Sequence, residues 1–209
     1  MMEALQLDKR SNDQTAGVLE AKSVHTTFDD LFELAPTSTA EWVRMHGKDF
    51  ADDTEQERAL LGTGTYADTY RVRAKEGAVH KDIRAGIFAA KVVKLMTLKR
   101  LGIKREAMED EANALRELKH HHVVRLLGFF PETKKFSLVM ELASGGSLAE
   151  RIPPMAPEAP ALLDVYRWVL QLVEAVAYIH DMGVCHRDIK PENVLLSGRG
   201  RAPLPGKQR

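Results

Sequence analysis

The segment His186–Asn193, with the sequence HRDIKPEN, constrains this chain more than any other stretch. Three of its side chains could take part in one group-transfer reaction. Asp188 can accept the proton of an attacking hydroxyl, and Lys190 can neutralise negative charge that builds up on a transferred group. Asn193 offers an amide oxygen, a hard ligand that suits Mg²⁺. The alternative is an exposed polar loop that caps a helix, and such a loop does not require the whole set. The segment therefore predicts a catalytic loop.

The chain before this loop reads as an ordered series of strands and helices. Alternation with period two predicts strands on both sides of Gly62–Gly64 and at 87–95, and helical spacing of apolar residues predicts helices over 104–119 and 162–180. Two more strands, LLGFF and FSLVMEL, lie between the helices, and a glycine-containing linker follows. Residues 28–50 have apolar content for one or two short helices. This order of elements predicts an α+β fold.

The overall composition excludes several classes of partner. Lys plus Arg and Asp plus Glu number 30 each, so no net field attracts nucleic acid or an acidic membrane. The N-terminus lacks an apolar signal segment and the glycine needed for N-myristoylation, and no apolar run approaches the roughly 18 residues of a membrane span. The single cysteine, Cys185, suits a reducing compartment. We expect a soluble cytoplasmic protein, with the nucleus as the alternative, that binds neither nucleic acid nor membranes.

The stretch Gly62–Ala67, GTGTYA, leaves two interpretations open. It fits a dinucleotide-binding fingerprint formally, but that site needs a helix directly after the last small residue. The residues that follow alternate as a strand does, which excludes a dinucleotide fold. A plain hairpin turn and a glycine-rich flap over nucleotide phosphates both remain, because glycine lets backbone N–H groups approach phosphate oxygens closely.

Lys91 and Glu111 are charges in otherwise apolar surroundings. Ala89 and Lys91 share a face of their strand, and Glu111 lies on the apolar stripe of its helix, three residues after Met108 and four before Leu115. Each charge would be costly to bury alone, so the two predict an ion pair. The alternative for Lys91 is an edge-strand lysine that reaches water.

The strand ending at Met140–Ala143 runs into a glycine linker, where free backbone groups could meet a purine edge.

These stretches stand in the order found in eukaryotic-type protein kinases. From about Glu55 to Leu196 the chain resembles that family, with a glycine-rich loop, an A-x-K strand, a helix glutamate, a hinge and an HRDxKxxN loop. Lys190 followed by Pro191 and Glu192 resembles the serine/threonine branch. The resemblance implies a protein-kinase-like fold with an antiparallel β small lobe that carries helix C. It also implies transfer of the ATP γ-phosphate, with Mg²⁺, to Ser or Thr hydroxyls of protein substrates.

The resemblance also implies roles for individual residues. Lys91 would hold the ATP phosphates with Glu111 as its partner, Asp188 would be the catalytic base, and Lys190 would stabilise the transferred phosphoryl group. Asn193 would bind Mg²⁺. The residues implied to line the nucleotide site are Leu61, Gly62, Thr63, Gly64, Thr69, Ala89, Lys91, Met140 as gatekeeper, Glu141, Ala143 and Leu195. The residues implied to stack in the hydrophobic spine are Leu115, Leu126 and His186.

Three departures from the family pattern stand out before the catalytic loop. Ala67 replaces the third glycine of the flap, and Thr69 replaces a valine while keeping its branched shape. The triplet His120–His122 stands where the family often has H-P-N. A histidine triplet suggests a metal site, but adjacent residues cannot all face one ion and no cysteine lies nearby. We therefore expect a loop there and no metal.

The largest departure follows Asn193. Residues 197–209 contain no acidic side chain, so the aspartate of D-F-G, which holds Mg²⁺ in the family, is missing from this sequence. Two hypotheses follow: a truncated active kinase, or a kinase-like module that binds nucleotide or protein without phosphotransfer. Helix 162–180 would lack its usual cover, which predicts self-association. The expected regions are an N-terminal extension, partly disordered (1–54), a small lobe (55–142), the hinge with a large lobe cut short (143–196) and a disordered basic tail (197–209).

Overall fold

The structure, a computed structural model, describes residues 26–37, 54–77, 86–152, 156 and 159–197. These residues form two compact units. The sheet unit takes the described parts of 10–117 together with 125–141, and the helical unit takes 118–124 and the described residues from 142 onward. The predicted N-terminal arm, a second short helix before residue 50 and most of the basic tail lie outside the described residues.

The sheet unit is built on an antiparallel sheet of six strands. The strands are β1 (Phe32–Leu34), β2 (Leu60–Thr63), β3 (Ala67–Ala74), β4 (Ile87–Lys94), β5 (Leu126–Pro131) and β6 (Lys135–Glu141). Their order is β1–β3–β4–β6–β5, and β2 also pairs with β3. β2 pairs with residues 68–70 of β3 and β1 with residues 72–74, so two separate segments share one edge of β3. The strands predicted from period-two alternation are confirmed.

The described part of this unit contains four helices: α1 (Phe28–Leu31), α2 (Glu55–Ala59), α3 (Leu95–Arg100) and α4 (Arg105–Glu117). The helix predicted over 104–119 is confirmed as α4, which buries Met108, Glu111 and Ala112. Helix α3 differs from the prediction, which extended the preceding strand to Leu95. The segment LMTLKR consists almost entirely of good helix formers and buries Leu98, but it is too short to show helical periodicity.

The segment Phe28–Leu34, hereafter the N-terminal segment, covers one face of the sheet. Phe28 stacks on Phe32 at a centroid distance of 5.1 Å, and both rings meet the edge or face of Phe130 at 6.0 and 5.9 Å. Val72 and Val139 complete a buried cluster beneath them. The apolar residues of this region thus form one short helix and a strand, whereas the sequence predicted helices alone. Burial of these aromatic side chains contributes on the order of 1.5–3 kcal/mol each.

Polar contacts fix the N-terminal segment at its start. Thr27 caps α1 in a capping box with Asp30, which satisfies N–H groups that a helix start otherwise leaves free. The backbone N–H of Phe28 donates to Oε1 of Glu132 at 2.9 Å, and Nζ of Lys135 lies 2.8 Å from Asp29. Glu132 and Lys135 belong to the β5–β6 hairpin, so this hairpin holds the segment from more than 100 positions along the chain.

The helical unit contains α5 (Leu162–Asp181) and two short 3-10 turns, Leu148–Arg151 and Pro191–Asn193. Gly183, at φ +75°, ends α5 in the left-handed conformation that glycine adopts without strain. The N–H of Leu148 donates to the carbonyl of Val194 at 2.7 Å, which joins the two 3-10 turns. Among helices of the described residues, none combines the length and apolarity needed to span a bilayer.

The apolar face predicted for α5 is only partly buried. Ile179 and Ala175 are buried, whereas Val165, Leu172 and Val176 are half-buried. Val169, also predicted for this face, is 53% exposed. Other large apolar side chains of α5 are exposed as well, including Leu162, Leu163, Tyr166, Leu170 and Val173.

Candidate active site

Residues predicted for the nucleotide site come from four strands and lie at positions on one face of the sheet. The ladder places Gly62 opposite Thr69 and Thr69 opposite Lys91. In the neighbouring row, Ala89 stands opposite Met140. Directly opposed residues of an antiparallel ladder share a face, as do residues i and i+2 of one strand. The N-terminal segment covers the other face of the sheet, so this face carries the predicted site.

Two residues of the predicted site stand apart from this row. Thr63 pairs with Asp68 and, one residue after Gly62, projects from the opposite face. Its side chain therefore does not belong to the site surface, and only its backbone could contribute. Leu61 is 46% exposed on β2.

The turn between β2 and β3 is closed by the backbone. The N–H of Gly64 donates to the carbonyl of Ala67 at 2.8 Å, and a Cβ at Gly64 would stand 3.2 Å from that oxygen. Gly62 differs, because a Cβ there would meet no atom within 4 Å. A side chain at position 64 would therefore require a small shift of the turn, whereas a side chain at position 62 has open space.

Lys91 and Glu111 influence each other electrostatically without direct contact. Burial lowers the pKa of the Lys91 ammonium, and the charge of Glu111 opposes this only in part. Burial likewise raises the pKa of Glu111, against the charge of Lys91. Within the described residues the two charges do not come within the 4.0 Å of a direct ion pair. The predicted ion pair is thus an interaction at longer range, and both charges remain undercompensated.

Tyr66, which the sequence analysis did not single out, also faces Lys91. Nζ of Lys91 lies 5.5 Å from the centroid of the Tyr66 ring, within the range of a cation–π interaction. Tyr66 is half-buried in the turn that follows Gly64. Its position two residues after the second glycine is the sequence feature that could have indicated its place near Lys91.

The hinge residues divide between the two units. Met140 is half-buried at the end of β6, and the N–H of Glu141 donates to the carbonyl of Arg125 at 3.1 Å. The Glu141 carboxylate accepts from the N–H of Arg125 at 3.0 Å. For the predicted backbone contact, Glu141 can therefore offer only its carbonyl. Ala143 is half-buried in the helical unit.

The predicted catalytic loop brings three of its polar residues together. Nζ of Lys190 lies 3.0 Å from Oδ1 of Asp188. Nδ2 of Asn193 donates to Oδ2 of Asp188 at 2.7 Å and to its backbone carbonyl at 2.8 Å. The 3-10 turn at Pro191–Asn193 makes this return possible, since it folds Asn193 back over five residues. The amide nitrogen of Asn193 is thus committed to Asp188, which leaves its amide oxygen for a cation.

Two side chains of the loop have shifted pKa values. The hydrogen bond from Lys190 lowers the pKa of Asp188 below its ordinary value, and the bond from Asn193 acts in the same direction. Desolvation lowers the pKa of His186, which keeps its imidazole neutral near pH 7. A neutral ring suits its observed contact, since Nδ1 of His186 accepts from the N–H of Asp188 at 3.3 Å.

Arg187 in this loop has an uncommon backbone conformation. Its φ of 59° is the only positive value for a non-glycine residue in the described part of the chain. Such a conformation costs on the order of 1–3 kcal/mol and is found most often at functional sites. The loop therefore carries local strain beside Asp188, which the hydrogen bonds of Asn193 and Lys190 help to retain.

The remaining predicted residues are placed as follows. Leu126 is buried on β5, Leu115 is half-buried on α4, and Leu195 forms an isolated bridge with Ser147. Leu195 is 46% exposed. Stacking of Leu115, Leu126 and His186 in one spine stays a prediction.

Known proteins resemble this chain over most of its length. The protein kinase domain family matches residues 56–204. Calcium/calmodulin-dependent protein kinase type 1 of Caenorhabditis elegans is 36% identical over 138 residues, which is 66% of this chain and 36% of that protein. CBL-interacting protein kinase 4 of Oryza sativa subsp. japonica is 38% identical over 146 residues, covering 68% of this chain and 30% of that protein.

A solved structure agrees with these relatives. The crystal structure of Rad53 1-466 in complex with AMP-PNP is 28% identical, has a TM-score of 0.52 and covers 65% of this chain and 32% of that chain. The chain spans about a third of the length of each of these three proteins. The family match covers well over half of the sequence and includes both the sheet face and the HRDIKPEN loop. The chain belongs to the protein kinase domain family.

Proposed function

We propose that this protein is a serine/threonine protein kinase that transfers the γ-phosphate of ATP to hydroxyls of protein substrates, with Mg²⁺. The observation that carries the proposal is the Asp188 carboxylate, which Lys190 and Asn193 hold at 3.0 and 2.7 Å in a loop of kinase sequence. Relatives that are named protein kinases support the reaction class. The structure of Rad53 with AMP-PNP supports an adenine nucleotide as the donor.

The undercompensated charge of Lys91 supports binding of an anionic ligand on the sheet face. Burial lowers the pKa of Lys91 more than Glu111 restores it, so a phosphate group nearby would supply the missing negative charge. Gly62 stands in the same lateral row, where the fold itself does not require glycine. A residue without Cβ there leaves room for phosphate oxygens to approach the backbone.

Asp188 and Lys190 would perform complementary parts of the transfer. An Oδ atom of Asp188 would take the proton of the substrate hydroxyl as its oxygen bonds to the γ-phosphorus and the bond to the β-phosphate oxygen breaks. Lys190 would stabilise the charge on the phosphoryl oxygens. Asn193 would offer its amide oxygen to Mg²⁺, and the bound ion would neutralise phosphate charge. The low pKa of Asp188 keeps it ionised, and therefore ready to accept, near pH 7.

Titration of the 209-residue chain with a fluorescent ATP analogue tests the nucleotide part. We expect saturable binding that Lys91→Met weakens by about ten-fold or more, since a charge-assisted contact is worth about 1.5–3 kcal/mol. Lys94→Met, on the same strand but exposed, is the matched control and should bind as the parent does. The absence of saturable binding would overturn the proposal.

Incubation with radiolabelled ATP and a generic Ser/Thr substrate tests the transfer. Transfer that Asp188→Asn abolishes supports a kinase in which this chain suffices. Binding without transfer supports the alternative in which this chain is a nucleotide-binding module. The two results separate the two hypotheses because the first experiment has already measured nucleotide binding.

We also propose that the chain associates with itself through α5. Val169 and Val173 are 53% and 58% exposed there, and Val169 lines an apolar groove with Trp168 and Leu172. Exposed apolar patches of this kind favour association. Sedimentation velocity should show concentration-dependent dimers that Val173→Glu reduces, while Glu174→Gln on the same helix leaves them unchanged. A monomer at every concentration would contradict this.

A further inference from the structure

A cluster of metal-ligating side chains lies in the helical unit and uses none of the residues assigned to the candidate active site. His121 and His122 come from the loop that follows α4, and Glu174 comes from the middle of α5. One ligand atom from each of these residues lies within 4.8 Å of the others, and Nε2 of His122 is 3.3 Å from Oε2 of Glu174. The arrangement brings two imidazoles and a carboxylate, 52 positions apart in the sequence, to one place.

The spacing fits a four-coordinate ion. Around Zn²⁺ with bonds of about 2.0–2.2 Å to nitrogen and oxygen, neighbouring ligand atoms stand about 3.3–3.5 Å apart. The His122–Glu174 pair already has this separation. The remaining distances need side-chain shifts of about 1–2 Å at most, which exposed side chains make at little cost. His121 and Glu174 are both exposed.

His120 explains how adjacent histidines can serve one ion here. Its ring stacks on Tyr178 of α5 at 4.9 Å and 19°, and its Nδ1 accepts the N–H of His122 at 3.2 Å. Oη of Tyr178 in turn accepts the N–H of Lys119 at 2.8 Å. The loop backbone is thereby fixed on α5 by His120, which leaves the other two imidazoles near Glu174. Only two of the three adjacent rings therefore have to face the ion, contrary to the expectation of a loop without metal.

We propose that His121, His122 and Glu174 form a Zn²⁺ site with water as the fourth ligand. Imidazole and carboxylate donors are those of known zinc sites with three protein ligands. The described surroundings are a loop and one helix face, so the ion would act as a clamp that holds the loop against α5. This site is independent of the proposed phosphotransfer, because it shares no residue with the sheet face or the HRDIKPEN loop.

Isothermal titration of the untagged, full 209-residue chain with Zn²⁺ tests the site. We expect His121→Ala and Glu174→Gln each to remove one equivalent of bound Zn²⁺ or to weaken it by about ten-fold or more, since even indirect partners of a ligand change affinity 10- to 100-fold. His180→Ala, an exposed histidine on the same helix, is the matched control and should retain the parent affinity.

Two further readouts separate coordination from a change in folding. Co²⁺ bound in place of Zn²⁺ should give the visible absorption of a tetrahedral site in the parent and in the control, and not in the two ligand variants. Zn²⁺ should raise the melting temperature of the parent and slow hydrogen exchange at Lys119. Equal Zn²⁺ affinity in parent and ligand variants, or no binding by a folded parent chain, would overturn the site and leave only the 3.3 Å contact between His122 and Glu174.

Discussion

The sheet of the sheet unit and helix α5 of the helical unit bury their apolar residues to very different degrees. β6 is buried from Phe136 to Val139, and the N-terminal segment covers one side of the sheet. On α5, only Ala175 and Ile179 are buried, and Leu162 is 85% exposed. An amphipathic pattern therefore shows which residues can form a core, but burial depends on what is packed against them.

The largest expected effect on stability comes from a pair of variants that replace one aromatic residue in each unit. Phe32→Ala removes a side chain that is 3% exposed and contacts three other rings, so we expect a loss of about 3–5 kcal/mol in the free energy of unfolding. Tyr166→Ala on α5 removes a side chain that is 60% exposed and should change the free energy of unfolding by no more than about 0.5 kcal/mol. Urea unfolding followed by circular dichroism measures both. Similar losses in the two variants would show that α5 is covered in solution.

A second pair of variants compares glycines in the two units. A Cβ at Gly145 would stand 2.5 Å from the carbonyl oxygen of Leu196, a backbone atom that cannot move away freely. We expect Gly145→Ala to cost about 1–3 kcal/mol, as overpacking does. Fluorescence of Trp168, which lies in the same unit, reports this unfolding. Gly62→Ala has open space and should leave stability within about 0.5 kcal/mol while weakening nucleotide binding. Unchanged stability of Gly145→Ala would mean that the segment beside Leu196 can shift.

Ser137 offers a smaller test of the buried sheet. Its hydroxyl is fully buried on β6 and has no hydrogen-bond partner among the described residues. Because an unsatisfied buried hydroxyl is unfavourable, we expect Ser137→Ala to raise the free energy of unfolding by about 1 kcal/mol. Ser147→Ala is the control, since that hydroxyl donates to Glu150 at 2.7 Å and its loss should destabilise instead. A destabilised Ser137→Ala protein would point to a partner for the hydroxyl in solution.

The smallest expected effect concerns the charge of Asp188. Its pKa in the folded chain lies below the ordinary value, so its ionisation contributes stability above the unfolded-state pKa, and this contribution is lost as pH falls through the folded-state pKa. Lys190→Met removes the hydrogen bond that lowers this pKa most, so the pKa of Asp188 should rise toward its ordinary value. Carbon-13 titration of the carboxyl group by NMR measures the shift. Lys99→Met, on α3, should leave it unchanged; an unaltered pKa in Lys190→Met would show that Asn193 alone sets it.

The sequence alone predicts those features that depend on neighbours along the chain. Period-two alternation placed Ala89 and Lys91 on one face, and helical spacing placed Glu111 on the buried stripe of α4. It could not show how closely Lys91 and Glu111 approach, because that distance depends on how α4 packs against β4. The same limit hid the contact of His122 with Glu174, which joins a loop to a helix 52 positions further on.

The N-terminal segment shows this limit most clearly. Nothing in FDDLFEL indicates that Phe32–Leu34 would pair with Val72–Ala74, because two such short segments carry no register information of their own. Its apolar residues predicted only short helices, and the partner strand is decided by the open edge of β3 beyond β2. The left-handed conformation of Arg187 is a similar case, since the chain imposes it through the contacts of the neighbouring residues.

The attachment of the N-terminal segment to the β5–β6 hairpin also bears on the order in which the chain acquires its structure. Phe28 bonds to Glu132, 104 positions later, and Asp29 pairs with Lys135, 106 positions later. During synthesis at about 5–20 residues per second, the segment made first would wait about 5–20 seconds for the residues that receive it. Contacts of such long sequence separation slow folding, because the intervening loop must close before they form. We expect Phe28 and Phe32 to be exposed to solvent through that interval, when a chaperone or a second nascent chain could reach them.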